Sequence, residues 1–264
     1  KDKVVKLREL ISLNNSNVTV KSLLKALKVL EYFLNDYEPK SVTEIANALG
    51  YPKSTVTNIL STFHQEGFVE VDRQSGKYKL GIRSLELSSH TYQGNSVRRI
   101  LHPYMEQLAE KTREEVLLAT PSGFDVVYIG MTLFQGGVSR RYVIGSRAPM
   151  YCTAIGKAML FKTDDEKIRE MFNDRIIKFT ENTITDYDKF IEHLNISRAR
   201  GYAIDNMEHE YGIKCVAVPL YNQMGEIVAG ISISGPSLRM SDETLEIYST
   251  YLLEVASNVK RLLI

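Results

Sequence analysis

SVTEIANALGYPKSTVTNILSTFHQEGFVEVDRQSGKYKL, residues 41 to 80, is the stretch on which the fold turns. It opens with Ser41-Val42-Thr43-Glu44, the spacing of a capping box, in which a serine hydroxyl and a glutamate carboxylate reciprocally satisfy backbone amides. A short helix to Leu49 follows. Gly50 suits the left-handed turn that ends it, and Pro52 suits the first position of the next helix, which runs through Gln65 to a second terminator, Gly67. Beyond Gly67, Phe68 to Val71 and Lys77 to Leu80 alternate faces as strands do, separated by the turn-rich Asp72-Arg73-Gln74-Ser75-Gly76. A capped helix, a glycine turn, a second helix and a basic hairpin form the plan of a winged helix-turn-helix.

Within the helix 52 to 65, Val56, Ile59, Leu60 and Phe63 make one apolar stripe. The other faces carry Lys53, Ser54, Thr55, Thr57, Asn58, Ser61 and Thr62, mostly small donors and acceptors. Such groups near a helix N-terminus can meet base edges in a major groove, while hydroxyls and amides hold phosphate. A solvated surface helix would look the same by itself; the surrounding order of elements favours DNA. The predicted DNA contacts are Ser41, Lys53, Ser54, Thr55, Thr57, Asn58 and Thr62, with Arg73, Lys77 and Lys79 on the wing. Lys53-Ser54-Thr55 lacks the preceding glycine of a phosphate loop, so nucleotide binding is not expected there.

Working outward, Leu23, Leu24, Leu27, Leu30, Phe33 and Leu34 recur at helical spacing between Val20 and Leu34, and Glu38-Pro39 closes that segment. Residues 1 to 18 read as a loosely attached leader, 19 to 81 as the DNA-binding domain and 82 to 96 as a linker helix. From 97 to 264 the pattern gives an amphipathic helix, Val97 to Thr112, then strands at 115 to 120, 125 to 131, 138 to 144, 214 to 220 and 226 to 234. Helices are expected at 153 to 161, 165 to 173, 186 to 200 and 241 to 262. The fold class is α+β, with an antiparallel sheet in the larger domain.

Charge is divided along the chain. Residues 1 to 99 hold 15 Lys/Arg against 10 Asp/Glu, and residues 100 to 264 hold 18 against 22, so nucleic-acid contacts belong in the first third. The only cysteines are Cys152 and Cys215, far apart, which argues against a disulfide framework or a CxxC knuckle. With no long apolar run and no signal-peptide pattern at the start, no membrane association and a cytoplasmic location are expected.

In the larger domain, Thr153 leads into Ala154-Ile155-Gly156-Lys157-Ala158, a capped helix start whose free amides could hold an anion; close packing of helix on sheet explains the same small residues. Ser232 and Ser234 alternate with Ile231 and Ile233, so both hydroxyls share one face. Asp205, Glu208, His209, Glu210 and Cys215 gather acids, an imidazole and a thiol within eleven residues. A solvated loop, a zinc-responsive site using Asp205, His209 and Cys215 with Cys152, and a cysteine hydrolase using either thiol with His209 are the competing readings.

These residues resemble the IclR family of transcriptional regulators. In the reader the likeness lies in Lys21 to Leu27, Pro52 to Val56, Glu66 to Val69 and Tyr78 to Gly81. In the larger domain it lies in Ala154 to Ala158, Arg200 to Ala203, Glu208 and Ile231 to Pro236. The resemblance implies a non-enzymatic transcriptional regulator, repressor or activator, without a cofactor, with a GAF-like effector-binding domain. Its partners would be a pseudo-palindromic double-stranded DNA operator, a small organic or aromatic acid as effector, and further copies of itself as homodimer or homotetramer. It places effector contacts on Ala154, Ile155, Asp205, Ile213, Cys215, Ser232 and Ser234. Asn58 stands where family members commonly carry arginine, and Ile155 is bulkier than the usual small residue. Asp205 would repel a carboxylate within about 4 Å, so it is expected to accept a hydroxyl or amine.

Overall fold

The computed structural model describes residues 20–34, 36–134, 144–173 and 176–263. The leader expected over 1 to 18 and all but the last residue of the strand expected over 138 to 144 lie outside them. The chain divides into two compact units between Gly94 and Asn95.

The first unit begins with helix α1 (Lys21–Tyr32), α2 (Val42–Leu49) and α3 (Lys53–Gln65). The capping box is present: the Glu44 amide donates to Ser41 Oγ at 3.2 Å and the Ser41 amide to Glu44 Oε2 at 2.7 Å. Gly50 ends α2 at φ +67°, the left-handed conformation that a side chain disfavours. Strands β1 (Val69–Val71) and β2 (Tyr78–Leu80) pair antiparallel as the wing, and Lys40 bridges to Tyr78 beside them. A buried cluster of Val29, Phe33, Ile45, Ala46, Val56, Leu60 and Val69 joins the three helices to the wing. Where the chain leaves the wing, a Cβ on Gly81 would lie 2.3 Å from the Gly67 carbonyl oxygen, so only glycine fits that return. Helix α4 (Ile82–Gly94) completes the unit, and none of its residues is fully buried.

The second unit is a three-layer α–β–α arrangement. Its six-stranded antiparallel sheet comprises β3 (Glu115–Ser122), β4 (Asp125–Thr132), β5 (Arg147–Pro149), β6 (Ala203–Asn206), β7 (Ile213–Tyr221) and β8 (Ile227–Pro236), in the order β5-β4-β3-β8-β7-β6. Alternation along the strands divides it between two cores. Val116, Leu118, Val216, Val218, Ile231 and Ile233 pack against α5 (Ser96–Thr112) and α9 (Asp242–Val259). Leu117, Ala119, Ile213, Cys215 and Ala217 pack on the other side against α6 (Ala154–Met159), α7 (Asp165–Phe172) and α8 (Tyr187–Arg200). Pro103 falls inside α5 without ending it. The sequence pattern did not indicate β5 and β6: both are short edge strands held by a single neighbour, one ending in proline and the other in Asp205-Asn206.

Candidate functional site

Two sites emerge, one in each unit. In the first, α3 buries Val56 and Leu60 and leaves Lys53, Ser54, Thr57, Asn58, Ser61 and Thr62 exposed, with Thr55 half-buried. The Thr57 hydroxyl donates to the Lys53 carbonyl at 2.9 Å and that of Thr62 to the Asn58 carbonyl at 3.0 Å. Those hydroxyl protons are engaged along the helix itself, whereas the oxygens still accept. Ser41 is engaged as the cap of α2, and Glu44 is held down to about 2 by its bonds to Ser41, with the Lys77 ammonium adding a smaller pull. On the wing Lys77 pairs with Glu44 at 3.4 Å and Lys79 with Glu70 at 3.1 Å, while Arg73 is exposed. Partly exposed pairs of this kind contribute under about 1 kcal/mol, so a phosphate can compete for the cations.

The second site is the face of the sheet beneath α6. Asp205 is the register partner of Cys215, and Cys215 that of Ser234. Because Ile231 and Ile233 fill the opposite core, Ser232 and Ser234 face α6, and both are buried. Ala154, Ile155, Ile213 and Cys215 belong to the core on this same side, so all seven residues expected at an effector site lie on one face. Cys215 Sγ lies 3.3 Å from Ser234 Oγ, within donor reach.

Close approach explains how α6 reaches that face. A Cβ on Gly156 would stand 2.3 Å from Met150 Cα, and one on Gly230 would stand 2.9 Å from Ile155 Cγ1. Gly156 therefore does serve close packing. The cap also forms: the Gly156 amide donates to Thr153 Oγ1 at 3.2 Å, and that hydroxyl donates to the Pro149 carbonyl at 2.8 Å. With Lys157 N–H bonded to the Thr153 carbonyl at 2.9 Å, the Ala154 and Ile155 amides are the first-turn donors left without a carbonyl one turn back.

Pattern reading missed the ion pair at the centre of this region. Lys157 is completely buried, and its ammonium donates to Glu208 Oε1 at 2.5 Å and approaches His193 Nε2 at 3.2 Å. A lysine inside an otherwise small and apolar helix was the available signal, and only a partner from a distant loop explains it. Glu208 Oε2 is buried without a hydrogen-bond partner among the described residues. Asp205 accepts from the Glu208 amide at 2.6 Å. Burial pushes its carboxyl up to about 7, with Glu208 adding to the rise and Lys157 opposing it.

The zinc reading finds no support among the described residues. Among the described residues no three His, Cys, Asp or Glu side chains converge to hold a metal ion. Asp205 is turned to the Glu208 amide, Cys215 to Ser234, and the His209 ring lies against Phe179 with centroids 5.1 Å apart. Burial, then the charges of Asp205 and Glu208, push the Cys152 thiol up, the opposite of what a nucleophilic thiolate needs. No helix among the described residues is long and apolar enough to cross a membrane.

Comparison with known proteins agrees in both units. Residues 22–73 match the IclR helix-turn-helix domain, and residues 89–261 match the bacterial transcriptional regulator IclR C-terminal domain. The HTH-type transcriptional regulator KdgR of Escherichia coli is 32% identical over 242 residues, covering 91% of this chain and 92% of the relative. The HTH-type transcriptional repressor AllR of Salmonella typhimurium is 30% identical over 84% of this chain and 82% of its own length. Among solved structures, an IclR transcriptional regulator from Alicyclobacillus acidocaldarius superposes with a TM-score of 0.80 at 30% identity, covering 92% of this chain and 98% of that one.

Proposed function

Because this chain belongs to the IclR family of transcriptional regulators, we propose that it reads a pseudo-palindromic DNA operator through α3 and the wing, and that a small organic acid on the face beneath α6 governs that binding. The observation that carries the reading is the exposed polar face of α3, fixed from behind by Val56 and Leu60. Lys53, Ser54, Thr55, Thr57, Asn58 and Thr62 supply base and phosphate contacts, with Arg73, Lys77 and Lys79 over the adjoining backbone. Ser41 acts by capping α2.

In the second unit, the acid's carboxylate meets the Ala154 and Ile155 amides. Its polar substituents meet Ser232, Ser234 and Cys215, beside the apolar Ile213. Asp205, half-protonated near neutrality, takes a hydroxyl or amine rather than the carboxylate. A domain whose relatives include a named repressor fits release or tightening of an operator as its output. Two-fold operators call for two readers, and α4 supports self-association: Ile82, Leu85 and Leu87 are 64%, 63% and 56% exposed. The acid would then act by favouring one arrangement of paired subunits.

The test is fluorescence anisotropy on an operator fragment recovered from a randomised DNA pool, with aliphatic and aromatic carboxylates added in turn. At least one acid is expected to shift operator affinity, and Ser232→Ala with Ser234→Ala to blunt that shift while leaving acid-free binding intact. Unchanged affinity and complex geometry at saturating acid would remove the effector half of the reading.

A further inference from the structure

A cleft of about 530 Å³ opens on the second unit away from the α6 face, a volume in the range of small-molecule sites. One wall is a single face of α8, carrying Lys189, Glu192, His193 and Ile196 at helical spacing. The opposite wall is the segment around Asn182, Thr183 and Ile184.

Of the charged groups that line the cleft, Lys178 and Glu181 pair with each other at 2.6 Å, and Asp186 caps α8 by accepting from the Lys189 amide at 2.9 Å. Lys189 and Glu192 are exposed, and neither side chain is in an ion pair within the described residues. His193 lies between them and the interior. Burial and the neighbouring Lys157 charge push it down to about 4, so it contributes a neutral ring at physiological pH. Ile184 and Ile196 add apolar surface. Lys189 and Glu192, one turn apart on the same wall, set an ammonium beside a carboxylate, and above a neutral, partly apolar floor they complement a small zwitterion whose own carboxylate meets Lys189 and whose own ammonium meets Glu192.

The cleft is also wired to the face beneath α6. His193 Nε2 is 3.2 Å from the Lys157 ammonium, which holds Glu208 at 2.5 Å. The opposite wall is stapled to the same loop. Thr180 Oγ1 donates to the Met207 carbonyl at 2.7 Å, Thr183 Oγ1 to the Glu208 carbonyl at 2.6 Å, and Asn182 Nδ2 to the Asn206 carbonyl at 2.9 Å. Anything that separates or closes these walls acts on Glu208 from both sides.

We infer that this cleft is a second small-ligand site, for a compound of the α-amino-acid class, coupled to the face beneath α6 through His193, Lys157 and Glu208. Coupling of this kind is reciprocal: a ligand on either site changes the affinity of the other by one common factor.

Calorimetric titration of the full chain with L-leucine tests the site, with N-acetyl-L-leucine and L-leucinamide as analogues lacking one charge each. L-leucine is expected to bind, and each analogue to lose about tenfold in affinity. Lys189→Gln and Glu192→Gln, both on the surface, are each expected to cost about tenfold for L-leucine, and binding is expected to move the His193 ring resonances in an NMR spectrum. Three results would overturn the inference: no L-leucine binding up to about 10 mM, binding indifferent to both cleft substitutions, or binding lost in Ser232→Ala and kept in Lys189→Gln. The last would seat the ligand on the α6 face. None of them bears on operator recognition, which the anisotropy assay decides separately.

Discussion

In α3 only Val56 and Leu60 are fully buried and the polar residues stand in solvent, whereas in α6 every residue from Ala154 to Met159 is buried, a lysine included. The first helix meets its partner from outside and keeps its fold in reserve behind one apolar stripe. The second is part of the core, so whatever binds beside it acts through packing and a buried charge. Substitutions should therefore separate: those under α6 cost stability, and those on α3 cost recognition alone.

The largest expected effect is at Lys157. Lys157→Met leaves the buried Glu208 carboxylate without its cation, and urea denaturation should show a loss of about 3–5 kcal/mol. A loss under about 1 kcal/mol would mean that the pair is not part of what holds α6 in place.

Next comes the pH response of Asp205. A carboxyl raised to about 7 in the folded chain from an ordinary 3.8 binds more protons folded than unfolded between those values. Its contribution is thus fully present below about pH 4 and lost as pH rises through 7, by roughly 4 kcal/mol. Wild type should lose stability relative to Asp205→Asn across that window; parallel pH curves would show that Asp205 does not carry the slope.

Smaller effects belong to the reader. Ser41→Ala breaks the capping box and should cost about 1 kcal/mol, detectable as a lowered melting temperature of the first unit. Lys53→Gln should leave stability within about 0.5 kcal/mol. It should also lower the slope of log affinity against log salt by about one for every sequence alike. A sequence-dependent loss would instead make Lys53 a base contact.

The same contrast explains what the sequence disclosed. An exposed helix shows itself as a polar face against an apolar stripe, so the exposure pattern of α3 and the box Ser41-Glu44 were legible before any coordinates. The α6 face was legible in part: the period-two alternation put Ser232 and Ser234 together, but only sheet register brought Cys215 and Asp205 beside them. The pairing of Lys157 with Glu208 was hidden, because the partners are 51 residues apart and a lone lysine in a small, apolar helix does not say which acid it meets. Edge strands β5 and β6 were hidden because a neighbour rather than composition makes them strands. The acids, imidazole and thiol between 205 and 215 also look like metal ligands in one dimension, and the fold turns Asp205, His209 and Cys215 to different partners.

Selection from a pool of randomised DNA duplexes at near-physiological salt tests the central claim most directly. Enrichment of a two-half-site palindrome by the full chain, abolished by Asn58→Ala together with Thr57→Ala while the melting temperature stays put, is the expected result. Retention of DNA without any shared motif, fading as salt rises, would contradict it and reduce α3 to an electrostatic surface.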